Sequence, residues 1–189
     1  MAFAIWVTGL PGCGKSRLAK EFVDLLKKSN ISIHILNLDS VRKDIVPDPK
    51  YTEEERDRVY IHFVEMGIEL YKQGKNILYD ATGHRKRWRE YARRNIPNFM
   101  EVYLKCPLDI CIERSMKRRH HLPITKEMYK KALERKKAGK VFRRLGQVIG
   151  IDVPYEENTN AEMIIRTDRK KSKPTAVAIF KELEKRNWI

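Results

Sequence analysis

The chain has 189 residues, of which 42% are hydrophobic and 34% are charged, and its 40 Lys and Arg against 25 Asp and Glu give a formal net charge of +15. This content suffices for a buried core and excludes a disordered chain, and the length is typical of one domain. No apolar run approaches the roughly 18 residues of a membrane span, the N-terminus lacks the features of a signal peptide, and the three cysteines do not have the spacing of a disulfide framework, so we expect a protein of the reducing cytoplasm.

Strand and helix signals alternate from one end of the chain to the other. Short apolar runs predict strands over residues 3–7, 33–38, 76–81, 100–104 and 163–166. Helical patterns follow the first glycines and cover residues 52–73, 108–119 and about 125–138, and a last helix opens at Pro174. Thr52 and Thr125 are the predicted caps, and Gly74 and Gly139 are the predicted stops. This alternation predicts an α/β fold with a mostly parallel five-stranded sheet flanked by helices.

The positive charge is concentrated in two segments. Residues 114–144 contain thirteen Lys and Arg against two Asp and Glu, and residues 84–94 contain six against one. A heat-adapted surface would mix the two signs, whereas these segments carry mainly one, which indicates an anionic partner: the phosphates of a small ligand, or nucleic acid. Residues 114–144 also interrupt the alternation without a clear strand. We therefore predict one domain over residues 1–189 with a basic helical lid at about 114–144.

A phosphate-binding loop follows the first predicted strand. Residues 9–16 match the pattern G-x-x-x-x-G-K-[ST] at every position. Its glycines let backbone N–H groups surround a phosphate, and the next helix offers its N-terminus to the same anion. Lys15 can reach the β- and γ-phosphates, and the Ser16 hydroxyl can bind magnesium. The predicted nucleotide-binding residues here are Gly9, Leu10, Pro11, Gly12, Cys13, Gly14, Lys15 and Ser16.

The rest of the chain narrows the class of nucleotide-dependent protein. No N-K-x-D guanine signature is present, which disfavours a GTPase, and a motor or helicase would need a longer chain. His120 and His121 are adjacent and have no third ligand at a sensible spacing, so no transition metal is predicted. Of the nucleotide-dependent classes considered, the sequence therefore favours a kinase that acts on a small substrate.

Acidic and basic residues follow the second and third predicted strands. Asp39 comes after the second strand, where it could bind the magnesium shell, orient an acceptor hydroxyl or accept its proton, and Asp80 ends the third strand, where it could position magnesium-bound water. Arg42 and Arg85 could each bind an anionic substrate group. The alternatives left open are helix capping for the two carboxylates and solvated surface charge for the arginines.

Several motifs resemble those of the adenylylsulfate kinases, which use ATP to phosphorylate the 3′-hydroxyl of adenosine 5′-phosphosulfate. Beside the phosphate loop, residues 37–42 (NLDSVR) align with the family's D-G-D-x-x-R, and residues 101–114 (EVYLKCPLDICIER) look like its E-V-F-V-x-x-P-L-E-V-C-E-x-R. Residues 128–132 (MYKKA) resemble L-Y-K-K-A, and residues 150–156 (GIDVPYE) are similar to G-I-D-x-P-Y-E, the most distinctive match.

The resemblance implies a P-loop kinase that uses ATP and Mg²⁺ in sulfate assimilation, with adenosine 5′-phosphosulfate as its small anionic partner. It places Arg114 near the ATP base and Lys131 and Ile151 near the substrate, and puts Asp39 on the family's second Asp and Arg42 on its Arg. A homodimer is left open, and no membrane partner is expected.

The sequence also departs from the family pattern near the acceptor. Asn37 replaces the first Asp of D-G-D, and residues 80–85 (DATGHR) stand where the family has I-S-P-Y-R. The family stacks the substrate adenine between two Phe; Tyr51 or a neighbour could supply one ring, but Val148 occupies the second position and has less stacking area. Arg56 and Arg58 stand in place of an expected R-R pair. These departures leave open a related kinase for another phosphorylated metabolite or a polynucleotide end. The net charge alone leaves open a non-catalytic nucleotide-dependent nucleic-acid-binding protein.

Overall fold

A computed structural model describes residues 1–117, 123–142 and 145–189. Its centre is one sheet of five parallel strands in the order β2-β3-β1-β4-β5. The strands are β1 (Ala4–Thr8), β2 (His34–Asn37), β3 (Ile77–Asp80), β4 (Phe99–Lys105) and β5 (Met163–Arg166). The helices are α1 (Lys15–Lys28), α2 (Leu38–Ile45), α3 (Glu53–Lys72), α4 (Lys86–Asn95), α5 (Leu108–Lys117), α6 (Pro123–Ala138) and α7 (Ser172–Lys185). The predicted α/β fold with a five-stranded parallel sheet is confirmed.

Helices cover both faces of this sheet, which is why its central strand, β1, is apolar from Ala4 to Val7. Phe3, Ile5 and Val7 point to a core formed with α1 and α7, whereas Ala4 and Trp6 point to a second core formed with α3 and α4. Successive side chains of a strand alternate between the two faces, so the continuous apolar run supplies both cores at once.

The predicted element boundaries agree with the structure to within a few residues, with two informative differences. Thr52 caps α3 as expected, since its hydroxyl accepts a hydrogen bond from the Glu55 N–H at 3.2 Å. The helix α6 begins at Pro123, so the predicted cap at Thr125 is wrong, and α7 begins two residues before Pro174, which therefore lies in the first turn. N–H groups of a first turn have no partner within the helix, so a proline costs no hydrogen bond there.

The C-terminal ends of β1, β2 and β3 lie side by side and define the functional edge. Val7 and Asn37 both pair in register with Asp80, and the phosphate loop starts directly after Thr8. Ligands of open parallel sheets bind at this edge. No helix in residues 1–117, 123–142 and 145–189 is both long and apolar enough to cross a membrane.

Candidate active site

One cleft of about 380 Å³ lies at this edge of the sheet. The phosphate loop and the start of α1 form one wall, and α2 with the loop that follows it forms another. The start of α3, the end of β3 and residues 145–149 close the remaining sides. Of the residues predicted from the sequence, the cleft brings together Pro11, Gly12, Gly14, Lys15, Ser16, Asp39, Arg42 and Asp80.

The phosphate loop is held in a shape that only glycine tolerates at its tightest points. The φ angles of Gly9, Gly12 and Gly14 are 138°, 89° and 110°, all in the left-handed region. A Cβ on Gly9 would stand 2.6 Å from the Leu104 carbonyl oxygen, whereas a Cβ on Gly14 would meet no atom of the described residues within 4 Å. Helix α1 has neither a capping side chain nor an acidic residue in its first turn. Its N–H groups are therefore available to an anion.

Two residues of the loop have contrasting environments. The Lys15 ammonium donates to the carbonyl oxygens of Gly9 and Leu10, at 2.9 and 3.2 Å, and so curls back over the loop. Cys13 is fully buried, and this burial raises the pKa of its thiol. A protonated, enclosed thiol packs as a small apolar group, so Cys13 contributes to the loop through its backbone.

Asp39 and Asp80, the two candidate carboxylates, do not cap helices. Helix capping, the alternative role that the sequence left open for them, is therefore excluded. Asn37 caps α2, since its Oδ1 accepts a hydrogen bond from the Ser40 N–H at 3.1 Å, and α4 has no side-chain cap. The Asn37 amide also donates to Asp80 Oδ2 at 3.1 Å. Asp80 is buried and Asp39 is exposed to the cleft.

The donor set at this edge fits Mg²⁺. Ser16, Asp39 and Asp80 offer oxygen atoms, the ligand type that Mg²⁺ prefers. Within the part of the chain that the structure describes, no group of three or more His, Cys, Asp and Glu side chains could hold a metal by itself. This combination is typical of magnesium that is bound partly through substrate phosphates.

The opposite wall of the cleft is built around the buried carboxylate of Glu55. It accepts hydrogen bonds from the N–H groups of Lys50 and Tyr51, at 2.7 and 3.1 Å, and pairs with Arg42 at 3.4 Å. The Arg42 guanidinium lies 5.1 Å from the centre of the Tyr51 ring. Tyr51, with a φ of 56°, is thus fixed at the cleft wall, as the sequence suggested for an aromatic ring there.

Two further residues of the cleft were missed as site residues. Arg56 is buried and donates through Nη2 to the Gln147 carbonyl oxygen, but its Nη1 has no partner among the described residues. His84 is fully buried, and neither ring nitrogen has a hydrogen-bond partner there. In the sequence, Arg56 and Arg58 depart by their spacing from the R-R pair expected of the family, which disfavoured Arg56 as a substrate ligand, and no local pattern distinguishes His84.

Seven predicted site residues do not line the cleft: three belong to the phosphate loop (Gly9, Leu10 and Cys13), and the other four are Arg85, Arg114, Lys131 and Ile151. Arg85 pairs with Glu53 and Glu156, at 2.8 and 2.9 Å. Arg114 donates to the Thr167 carbonyl oxygen at 2.7 Å, and Lys131 pairs with Glu127 one helical turn away. Ile151 packs in a small apolar cluster with Tyr129, Ala132 and Val148. The adjacent His120 and His121 are outside the described residues.

The GIDVPYE segment, residues 150–156, connects α6 and α4 to the core. The Asp152 carboxylate accepts hydrogen bonds from the Val148 N–H and from Arg135 of α6. The Tyr155 hydroxyl contacts Thr8 Oγ1 at 2.7 Å and accepts from Arg89, which also donates to the Glu156 carbonyl oxygen. The segment does not line the cleft itself, but its Asp152 carboxylate positions Val148, which does.

Arg89 is the centre of a buried polar network. Its side chain is fully buried, and its Nε lies 3.2 Å from the Glu101 carboxylate, which is itself buried. The Asn158 amide donates to the other oxygen of Glu101 at 2.8 Å. This network joins α4, β4 and the segment after residue 156, and so holds the functional edge together.

Comparison with known proteins decides the family. A model of the adenylylsulphate kinase family matches residues 1–166. The chain belongs to the adenylylsulfate kinase family. It is 33% identical over 169 residues to a probable adenylyl-sulfate kinase of Archaeoglobus fulgidus, covering 89% of this chain and 98% of the relative. It is 29% identical over 185 residues to the adenylyl-sulfate kinase of Rippkaea orientalis, covering 98% and 93%.

The fold is shared with solved adenylylsulfate kinase structures. The Mycobacterium tuberculosis APS kinase, in complex with AMPPNP and APS, superposes with a TM-score of 0.77 at 24% identity, over 97% of this chain and 98% of that one. The predicted kinase of the P-loop class is confirmed: the chain is a phosphotransferase with an alcohol group as acceptor, and its family uses ATP.

Proposed function

We propose that the chain transfers the γ-phosphoryl group of ATP to the 3′-hydroxyl of adenosine 5′-phosphosulfate. One observation carries this proposal: a single cleft contains an open phosphate loop on one wall and the cations Arg42 and Arg56 on the other, in a chain of the adenylylsulfate kinase family. Phosphoryl transfer needs both walls, because the donor and an anionic acceptor must be aligned while their negative charges are compensated.

On the donor side, the loop N–H groups, the α1 N-terminus and Lys15 bind the ATP phosphates. Lys15 exchanges its two carbonyl contacts for phosphate oxygens, which its flexible side chain can reach within the loop. Ser16, Asp39 and Asp80 are the proposed ligands of Mg²⁺, which when bound compensates charge on the β- and γ-phosphates. Arg114 as a contact of the ATP base stays a prediction from the resemblance.

On the acceptor side, Asp39 orients the attacking hydroxyl and accepts its proton. It is exposed to the cleft and has no hydrogen bond or ion pair in the part of the chain that the structure describes, so its oxygens are available to a substrate. Arg42 keeps donors beyond its contact with Glu55. Arg85 could bind a substrate only by giving up one of its two carboxylate partners.

The basic segment 114–144 acts as a lid over the donor site. Its α6 reaches the phosphate loop, where the Tyr129 hydroxyl donates to the Pro11 carbonyl oxygen at 2.8 Å. Arg135 of the same helix donates to the carbonyl oxygens of Leu145 and Gly146, at 2.9 and 3.1 Å, and so links the lid to the acceptor wall. Lys131 and Ile151 as substrate contacts remain proposals, a homodimer stays open, and the cytoplasmic location remains a prediction from the sequence.

A related kinase with another acceptor is the second candidate, and Val148 favours it. The side chain is buried in the cleft wall at the position where the family resemblance calls for a stacking Phe. A valine supplies less contact area to an adenine ring. Membership of a kinase family argues against the third hypothesis, a non-catalytic nucleic-acid-binding protein.

The experiment is an ADP-release assay with a panel of acceptors. It would contain adenosine 5′-phosphosulfate, AMP, sugar phosphates and an oligonucleotide with a free 5′-hydroxyl, with Lys15→Met as the inactive control. We expect ADP release above the background rate only with adenosine 5′-phosphosulfate. Release only with a different acceptor would overturn the proposed substrate and support the second candidate.

A further inference from the structure

His84 is a buried polar group with an unmet hydrogen-bonding capacity. Its side chain is 0% exposed, and neither Nδ1 nor Nε2 has a partner among the described residues. The Glu53 carboxylate oxygen is 3.9 Å from Nε2, which is beyond hydrogen-bond distance. Burying an imidazole N–H without a partner has a free-energy cost, so such a group calls for an explanation.

The second unmet donor of the cleft lies on Arg56. The guanidinium is buried, its Nη2 is bound to the Gln147 carbonyl oxygen, and its Nη1 has no partner in the described part of the chain. His84 and Arg56 both line the cleft. Two orphaned polar groups in one wall of a cleft indicate a ligand group that approaches both.

The protonation state of His84 determines which kind of ligand group can bind beside it and Arg56. Burial lowers its pKa to about 3, and the nearby positive charges of Arg56 and Arg85 add to this effect. A neutral imidazole presents one N–H donor, whereas the guanidinium presents several donors and one positive charge. Together they match a group with several acceptor oxygens and a single negative charge, such as a sulfate ester.

The ring is also held in a fixed orientation. Its edge packs against Trp88, with ring centres 4.9 Å apart and an interplanar angle of 70°. Its backbone carbonyl accepts a hydrogen bond from the Glu156 N–H at 2.8 Å. Trp88 in turn stacks on Tyr60 at 3.9 Å. A donor fixed in this way loses little entropy when it binds a ligand.

We propose that His84 is a specificity-determining residue of the acceptor site, whose ring N–H binds an oxygen of the terminal sulfate-type monoanion beside the Arg56 guanidinium. This inference rests on the proposed function, because it assigns a contact to the acceptor named there. It explains why a buried imidazole that has no hydrogen-bond partner in the described part of the chain stands at the end of the β3–α4 loop.

The test compares His84→Phe, which keeps an aromatic ring and removes the N–H, with His84→Gln, which restores a neutral donor. His62→Gln, at an exposed position of α3, is the matched control. We expect His84→Phe to raise the KM for adenosine 5′-phosphosulfate about ten- to hundredfold with the KM for ATP unchanged, and His84→Gln to recover most of this loss. Inhibition by AMP, which lacks the sulfate, should be the same in all four proteins.

A role limited to packing gives a different pattern. Equal KM values for the acceptor in wild type and His84→Phe, or no recovery in His84→Gln, would overturn the inference, provided that circular dichroism and thermal unfolding show both variants folded. Should either variant fail to fold, imidazole ¹⁵N NMR of the wild type decides. Adenosine 5′-phosphosulfate without ATP should shift the His84 resonance, and AMP should not.

The same measurements separate this inference from the proposed function. No turnover of adenosine 5′-phosphosulfate by the wild type overturns the proposed function, and the His84 inference is then judged by the NMR titration alone. An unchanged His84 resonance in that titration overturns it, and a shift specific to the sulfate-bearing ligand supports it.

Discussion

Asn37 performs two tasks with one amide group, and replacing it with Asp would change only one of them. Its Oδ1 accepts the hydrogen bond from the Ser40 N–H that caps α2, and its Nδ2 donates to the Asp80 carboxylate. Asn37→Asp keeps the capping oxygen, because Asp is an equally good cap. The substitution replaces the Nδ2 donor by a second negative charge beside Asp80. Asp is also the residue that the family pattern carries at this position.

The size of the effect follows from the 3.1 Å separation of Asn37 Nδ2 and Asp80 Oδ2. Two unit charges at that distance repel by about 5 kcal/mol at an effective dielectric constant of about 20, and by about 1.3 kcal/mol at the value of bulk water. Asp80 is 6% exposed and Asn37 is half-buried, so the environment lies between these limits. We expect Asn37→Asp to lower the free energy of unfolding by about 2–3 kcal/mol at neutral pH without Mg²⁺.

Urea unfolding at pH 7 and pH 5 measures this effect. The loss should be full at pH 7 and smaller at pH 5, because one carboxyl of the pair takes up a proton as the pH falls and the repulsion ends. Asn37→Ser keeps a capping oxygen and adds no charge, so it should cost only about 1 kcal/mol. The double variant Asn37→Asp with Asp80→Asn restores one amide and one carboxylate, and should recover most of the stability.

Two results would refute the reasoning about this pair. One is an Asn37→Asp protein as stable as the wild type at pH 7. The other is a double variant whose loss equals the sum of the two single losses, since independent sites add and coupled sites do not. Either result would mean that the Asn37–Asp80 contact does not set the electrostatics of the functional edge.

Four further predictions test other parts of the site. Lys15→Met should lower kcat/KM in the ADP-release assay by about 10²–10³-fold or more, because it removes a cation from the transferring phosphoryl group. Arg89→Met should lower the free energy of unfolding in urea by about 3–5 kcal/mol, since it removes the fully buried cation 3.2 Å from the buried Glu101 carboxylate and leaves that carboxylate with the partly exposed Arg93 at 3.8 Å. The pKa of histidine is about 6.5 in the unfolded chain, whereas burial lowers the pKa of His84 to about 3 in the folded protein. Between these two pH values only the unfolded state binds the proton, so the free energy of unfolding of the wild type should fall by up to about 1.4 kcal/mol for each pH unit by which the pH is lowered. His84→Phe should lack this contribution. A Cβ on Gly146 would overlap the Cβ of Tyr51, so Gly146→Ala should cost about 1–3 kcal/mol of stability and raise the KM of the acceptor more than that of ATP.

Matched controls and contrary outcomes are available for each of these. Lys20→Met, at an exposed position of α1, should leave kcat/KM unchanged, and equal losses at Lys15 and Lys20 would argue against a catalytic lysine. Arg94→Met, exposed on the helix that carries Arg89, should cost less than about 0.5 kcal/mol. Identical pH–stability curves for wild type and His84→Phe would contradict a neutral buried imidazole. A Gly146→Ala protein with unchanged stability and KM would contradict the close packing against Tyr51.

Local patterns were enough to predict the fold and the donor side of the site. The phosphate loop is one continuous segment whose glycines and lysine act through their own backbone and reach, so eight consecutive residues carry the information. The strand positions followed from apolar runs, and the Thr52 cap of α3 from residues three apart in the chain. Each of these features depends on neighbours in sequence, which is why they could be predicted without tertiary structure.

The acceptor side could be predicted only in part, because its residues come from segments far apart in the chain. The match at residues 150–156 identified the family, but only the structure assigns its residues their contacts, which are with α6, α4 and Thr8 rather than with the cleft. Arg85 stands beside a strand end as a substrate ligand would, yet two carboxylates from other segments pair with it.

What the sequence by itself determined is the class of protein: an α/β kinase with a phosphate loop and a basic segment that suits anionic partners. What only the tertiary structure decided is which polar groups remain available to a ligand. Asp39 faces the cleft while Asn37 takes the capping role, and the His84 ring nitrogens and Arg56 Nη1 are buried without a hydrogen-bond partner among the described residues. The physical reason is that a charged group or an N–H can bind a ligand only if folding has not already given it a hydrogen-bond or ion-pair partner within about 3 Å. The order of residues in the chain does not reveal those partners.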